Sequence, residues 1–296
     1  MRRPAPIPPE LLVRPFTSAE AAAVGITAAQ LRSSALRRVF RDVYAAVTLP
    51  DCPEVRAAAV RLVLPDDAVV GYEDAAWLFG ADVRDRRSLD IKVIGQRGDQ
   101  IRIRGVNATS ALLEPGDVTE LRGIPVTTRV RTAFDLARRR DVIEAVVGVD
   151  AMLNRGGCDL DELTAYAAAH RGWRWVRTVD EVLKHAEPLS QSPMETRQRM
   201  RLVLAGLPRP RAQVPIKDDS GHVFAWIDNG YEEFRVGAEY DGEDHKERWR
   251  YDLERQERIR DRGWWHRRYT SLHITRGWSQ MVEQVGRALR RAGWRD

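Results

Sequence analysis

The stretch RVGAEYDGEDH, residues 235 to 245, sets Glu239, Asp241, Glu243, Asp244 and His245 at the end of an otherwise apolar segment. Side chains of a strand alternate between two faces, so Val236, Ala238 and Tyr240 fall on one side while Glu239 and Asp241 share the other. Like charges side by side cost stability unless something positive lies between them. Two further acids can reach the same point: Glu195 in SPMETRQRMRLVLAGLPRP and Asp228 at the end of HVFAWID. Carboxylates gathered in this way suit a hard divalent cation, magnesium or manganese, which takes oxygen ligands and keeps several waters. Such an ion activates a water and stabilises the added charge on a phosphodiester in its transition state. His245 would then serve as general acid or base, or hydrogen-bond the phosphate. Asp228 and Glu239 lie eleven residues apart across the turn NGYEE, so their meeting requires strand stagger or a bulge. The competing interpretation is a polar strand end running into a solvated turn at Gly242.

The elements that must position these acids begin after EPLSQSP, residues 187 to 193, whose turn and breaker residues mark a boundary. Ser192 is placed to cap a helix, Pro193 fits its first turn, and Met200, Val203 and Leu204 are its core positions. Strands HVFAWID and EFRVGAEYD follow, then the helix ERWRYDLERQERIRDRG, the strand WWHRRYT and the helix GWSQMVEQVGRALRRAG. This order predicts a small α/β sandwich. The alternating signs of ERQERIRDRG suit a solvated face, whereas Trp264 and Trp265 either stack on bases or join the core.

Upstream, PFTSAEAAAVGITAAQLRSSALRRVFRDVYAAV predicts two short helices and a wing. Thr17 and Glu20 form a capping box, Gly25 breaks the first helix, and Thr27 caps a second running through Ala35. In a winged helix-turn-helix the second helix enters the major groove, which would set Gln30 and Arg32 near bases and Arg37, Arg38 and Arg41 near phosphates. A small helical pair with a solvated arginine face fits the spacing equally. The middle region alternates helical and strand patterns in AAAVRLVL, GYEDAAWLFGA, SLDIKVIG, IRIRGV, RGIPVTT, RVRTAFDLARRRDVIEAVVGVDAMLNRGG and HRGWRWVRTVDEVLKHA. It shows no catalytic spacing, and Asp135 and His170 read as capping or surface residues. The whole is a multi-domain α/β protein: a winged helix at 1–50, an α/β domain at 51–187 and a C-terminal α/β domain at 188–296.

Over 296 residues the formal net charge is +5, arginine far outnumbers lysine, and the pI of about 9.4 suits phosphate-bearing partners. Cys52 and Cys158 are far apart without metal-ligand spacing, arguing against a disulfide scaffold or zinc site. There is no run of about eighteen apolar residues, and prolines interrupt the start where a signal peptide needs an apolar helix. A cytoplasmic protein without a membrane partner is expected.

Two resemblances follow from these motifs. Residues from Ser192 to about Arg290 resemble the family of uncharacterised domains related to very-short-patch-repair endonucleases, within the restriction-endonuclease-like PD-(D/E)XK superfamily. SPMETRQRMRLVLAGLP, WID, GAEYDGEDH, YDLERQERIRDRGW and RRYT carry it. The resemblance implies a metal-dependent nuclease in which Asp228 and Glu239 hold the metal, Glu195 is the helix acid, and Asp241 and His245 complete the catalytic set. The superfamily's lysine, two residues beyond the second acid, is here Asp241; Lys246 or His245 would have to substitute. Asn229 and Gly230 also stand where such domains often continue with apolar residues. The N-terminal two thirds resemble AbiEi-like antitoxins of abortive-infection systems, through the winged segment and GIPVTTRVRTAFDLARR. That resemblance implies promoter binding by the winged module and a second domain opposing a toxin; any protein partner of the middle domain is unspecified. The leading expectation is a double-stranded DNA-binding protein whose C-terminal domain is a magnesium- or manganese-dependent endonuclease. Its alternative is a non-catalytic regulator or antitoxin-like repressor on a degenerate nuclease fold.

Overall fold

The computed structural model describes residues 6–65, 68–84, 88, 90–95, 104–242 and 249–295. The chain begins with α1 (Pro9–Leu12), β1 (Phe16–Thr17), α2 (Ser18–Ala23) and α3 (Ala28–Leu31), followed by β2 (Leu36–Phe40) and β3 (Val43–Ala46). Both predicted N-caps form: Thr17 with Glu20, and Thr27 with Gln30. Gly25 takes the left-handed φ of 81° that ends α2. The second helix stops at Leu31 instead of running to Ala35, because the Arg32 amide already bonds back to Ala29 and Leu36 turns into the buried cluster around Phe16 and Ile26. The predicted wing is a hairpin, turned by Asp42 at φ 65°, and β1, β3 and β2 form one antiparallel sheet in that order.

Next come α4 (Pro53–Arg61), β4 (Val69–Val70), α5 (Tyr72–Leu78), β5 (Ile91–Gly95), β6 (Val106–Ser110), β7 (Val118–Leu121), β8 (Ile124–Thr127) and α6 (Arg129–Ala137). The strands make a mixed sheet ordered β6-β5-β4-β8-β7. Of the strand read in IRIRGV the first three residues lie outside the described residues, Arg104 and Gly105 form a turn, and Val106 begins β6. Then follow α7 (Val142–Asn154), α8 (Leu160–Ala169), α9 (Val176–His185) and α10 (Pro193–Leu204). The C-terminal part contains β9 (Arg211–Lys217), β10 (Val223–Tyr231), β11 (Val236–Tyr240), α11 (Trp249–Asp261), β12 (Trp265–Tyr269), α12 (Ser271–Thr275) and α13 (Trp278–Arg291). The fold is mixed α/β, as expected, and no helix among the described residues is long and apolar enough to cross a membrane.

The chain packs as two units, Met1–Leu136 with Gly157–Ala169, and Ala137–Gly156 with His170–Asp296. In the first unit Phe40 and Val43 of the wing share a core with Val60, Trp77, Ile91 and Val126, so the packing runs across position 50. Asp135 is a buried counter-ion and neither a cap nor a surface residue. One helical turn sets it beside the fully buried Arg131, whose guanidinium bonds Asp135 at 2.8 Å and Asp117 at 2.5 Å. His170, in the second unit, is likewise buried, edge-on to Trp173.

In the second unit α7 and α10 meet through another buried pair. Arg199 donates to Asp150 at 2.6 Å and to the His185 carbonyl at 2.7 Å, while Thr196 and the Glu187 amide also donate to Asp150. Burial, outweighing Arg199 and the other donors, raises Asp150 to about 6. Ser192 caps α10 as predicted and Met200 is buried; Leu202 faces the core in place of Leu204, which is exposed. The four-stranded sheet runs β12-β11-β10-β9, with α12 and α13 supplying Ile274, Met281, Val285 and Leu289 to one core and α11 supplying Ile259 to another. Trp264 and Trp265 pack against these cores. Replacing Arg199 with Met leaves Asp150 buried without its cation. Urea unfolding followed by tryptophan fluorescence should show a loss of ~3 kcal/mol, partly restored in the Asp150→Asn/Arg199→Met double variant.

Candidate functional site

β10 does not end at Asp228 but continues to Tyr231, and Asn229, Gly230 and Tyr231 pair with Ala238, Gly237 and Val236 of β11. One step further along that register brings Asp228 opposite Glu239. No stagger between the two strands is needed, because the intervening turn is shorter than the sequence suggests: Glu232–Phe234 form one 3-10 turn closed by Arg235 at φ 49°. Gly230 and Gly237 face each other where a Cβ on either would come within 3 Å of Ile227 or Val214, so this close strand crossing admits only glycine.

Asn229 and Gln198 fix the helix acid relative to the strands. The Asn229 amide donates to the Glu195 carbonyl at 3.2 Å and to Gln198 Oε1 at 2.8 Å, and the Gln198 amide donates to the Glu239 carbonyl at 3.3 Å. The polar Asn229 is therefore a tie between sheet and α10. Gln213 of β9, held at a left-handed φ of 50°, sends one amide nitrogen to both Glu195 Oε2, at 3.0 Å, and Asp228 Oδ1, at 3.2 Å. Asp228 Oδ2 accepts from the Tyr240 amide at 2.8 Å. The structure thus brings Glu195, Asp228 and Glu239 together. Gln213 was missed from sequence, since a lone glutamine in a strand carries no local signal.

The countercharge is supplied by the protein. Arg255 of α11 grips Glu239 with both terminal nitrogens, at 2.6 and 3.1 Å, and donates to the Trp226 carbonyl. His266 Nε2 of β12 lies 3.1 Å from Glu239 Oε2, the oxygen that Arg255 Nη1 also reaches. Asp241 pairs with Arg268 of β12 at 2.7 Å. His245 and Lys246 lie outside the described residues. Burial raises the Glu239 carboxyl, but His266 and Arg255 outweigh it and hold it at about 2. Among the described residues no such cation pairs with Asp228: burial first, then Glu195 and Glu239, push it up to about 7. Glu195 is also raised, by burial above all. With both Glu239 oxygens engaged by Arg255, the described side chains as they stand do not form an oxygen cage for a divalent ion. Among the described residues no group of three or more His, Cys, Asp and Glu side chains is arranged to hold a metal.

At the winged module, Gln30 Oε1 accepts from the Thr27 backbone amide at 2.9 Å, so its carbonyl end closes the cap of α3. Arg37 donates to the carbonyls of Leu49 and Pro50 and closes the segment after the wing. Arg32, Arg38 and Arg41 are exposed. These three retain the freedom to meet phosphates that Arg37 has given up to the backbone.

Residues 68–185 match the model of the AbiEi antitoxin C-terminal domain, which ends before α10 and the acidic centre. The chain is also 28% identical over 213 residues to the uncharacterized proteins Rv2248 and MT2308 of two Mycobacterium tuberculosis strains, H37Rv and CDC 1551; the alignment covers 72% of this chain and 76% of each relative.

Asp228 holds its proton more tightly in the folded chain than its ordinary 3.8, so its contribution to stability is complete below about pH 4 and is lost as pH rises through about 7. Glu239 acts oppositely, and its contribution disappears as pH falls through about 2. Asp228→Asn should therefore stabilise the chain by ~2 kcal/mol at pH 8 and flatten the decline between pH 4 and 7, read from urea denaturation across that range.

Proposed function

We propose that this chain is a non-catalytic DNA-binding regulator of the antitoxin type, attached to double-stranded DNA through its winged module. The observation that carries this proposal is the bidentate hold of Arg255 on Glu239: the carboxylate a nuclease needs for its metal is already neutralised from within. The family match over residues 68–185 supports the antitoxin type, and the exposed Arg32, Arg38 and Arg41 support attachment to phosphates. A buried centre whose Glu239 is compensated by Arg255 acts as a structural brace. Attachment then depends on phosphate contacts and weakens as salt rises.

A second proposal is favoured by one specific observation. Asp228 sits beside Glu195 and Glu239 with no cation partner among the described residues, an arrangement that costs stability and that a divalent ion would relieve. In that case magnesium or manganese would be held by Asp228 and Glu239 and would supply an activated water for phosphodiester hydrolysis, with Arg255 withdrawn from Glu239.

Supercoiled plasmid incubated with the protein and manganese separates the two. A regulator leaves the plasmid intact, and Glu239→Ala, Asp228→Ala and Arg255→Ala change nothing in that assay. Nicking that disappears in the Glu239 and Asp228 variants establishes the nuclease instead. In gel shifts on duplex DNA, Arg38→Ala and Arg41→Ala should each weaken binding and lower the slope of log affinity against log salt by about one; slopes equal to that of the unmodified protein would remove these arginines from the interface.

A further inference from the structure

The first unit contains a cavity of about 370 Å³ of which the proposals above use only Arg38, at its rim, bounded by the wing strand β2, the helices α4 and α5 and the strands β5 and β6. Arg38, Arg56, Arg84 and Lys92 bring cations to it, with Ser88 and Asn107 adding a hydroxyl and an amide. Arg56 is only 8% exposed. Its NH1 donates to the Val39 carbonyl at 3.1 Å, its NH2 reaches Asp74 only at 3.5 Å, and its buried Nε has no acceptor. The guanidinium lies 3.7 Å from the centre of the Phe40 ring and 5.2 Å from that of Trp77. Arg84, held by Asp82, covers the same Trp77 at 3.9 Å. Two guanidinium groups thus crowd one indole at a cavity wall. Burial, and then the Arg84 charge, pull Arg56 down to about 10.

An anion entering the cavity relieves this repulsion and offers the acceptor that Arg56 lacks. A carboxylate has two oxygens and satisfies one guanidinium fork. A phosphate has three, enough to engage both arginines and Lys92 together. The acids of the same wall, Asp51, Glu73, Asp74 and Asp90, disfavour a bare polyanion but accept hydrogen bonds from hydroxyl groups. We infer that this cavity binds a small phosphorylated, hydroxyl-bearing molecule of the sugar phosphate or nucleotide class, its phosphate between Arg56 and Arg84. The volume matches small-molecule sites. Because the wing strand forms part of the wall, the ligand touches the module to which DNA attachment is ascribed.

Ribose 5-phosphate and inorganic phosphate serve as probes for the full-length chain, in calorimetric titration and thermal unfolding against sodium chloride at matched ionic strength. Both should raise the melting temperature beyond the chloride control, ribose 5-phosphate more strongly. Arg84→Gln and the exposed Arg38→Gln should each weaken ribose 5-phosphate binding by roughly tenfold while keeping the near-UV circular dichroism of the unmodified protein. No shift beyond chloride, or a shift indifferent to both substitutions, overturns the inference. A DNA-backbone phosphate is the other possible source of the group: if Arg84→Gln weakens duplex binding by the same factor as ribose 5-phosphate binding, the small-molecule assignment fails. The probe titrations contain no DNA, so their outcome is independent of whether the chain regulates or cleaves it.

Discussion

Three carboxylates brought to one point of a sheet cannot all remain charged without compensation, and the second unit is organised around that constraint. Glu239 is 4% exposed and Glu195 7%, so water supplies little of the compensation. The chain answers with elements distant in sequence: Arg255 from α11, His266 and Arg268 from β12, and Gln213 from β9. Each acid thereby acquires a different state. Glu239 is ionised and clamped, Asp241 is paired at the margin, and Asp228, with amide donors alone among the described residues, shifts toward its protonated form. A centre of this kind holds the sheet to its flanking helices whether or not it ever bound a metal.

Buried pairs do comparable work elsewhere. Arg199 and Asp150 join α7 to α10, so that a helix read as part of the middle region belongs to the same unit as the C-terminal sheet. Arg131, with Asp117, Asp135 and Tyr166, ties α6 and α8 to the loop before β7 within the first unit. Pairs of this sort contribute modestly to net stability, since desolvation offsets most of their attraction, but breaking one leaves an uncompensated charge. They select one arrangement of helices over its competitors. In the RTAFDLA segment Arg131 pairs with Asp135 one turn along α6 and with Asp117 before β7.

Local signals carried much of the fold. The caps at Thr17, Thr27 and Ser192 form because a side-chain oxygen and an amide three residues on meet without help from the rest of the chain. Alternation placed Glu239 opposite Val236 and Ala238 for the same reason. Short strands such as β4, β7 and β9 were missed because a strand of two to seven residues gains its stability from neighbours that the local pattern does not reveal.

From sequence alone came the α/β class, the winged start, the α10 cap and the identity of the acids at the centre, all properties of residue type and spacing within one element. Only the tertiary structure decided which side chains accompany those acids. The register of β10 on β11, the left-handed turn of Gln213 and the reach of Arg255 from α11 are set by packing between segments, and charge compensation depends on distances between segments that spacing along one chain does not encode. Sequence therefore named the anions, and the fold chose a guanidinium as their companion.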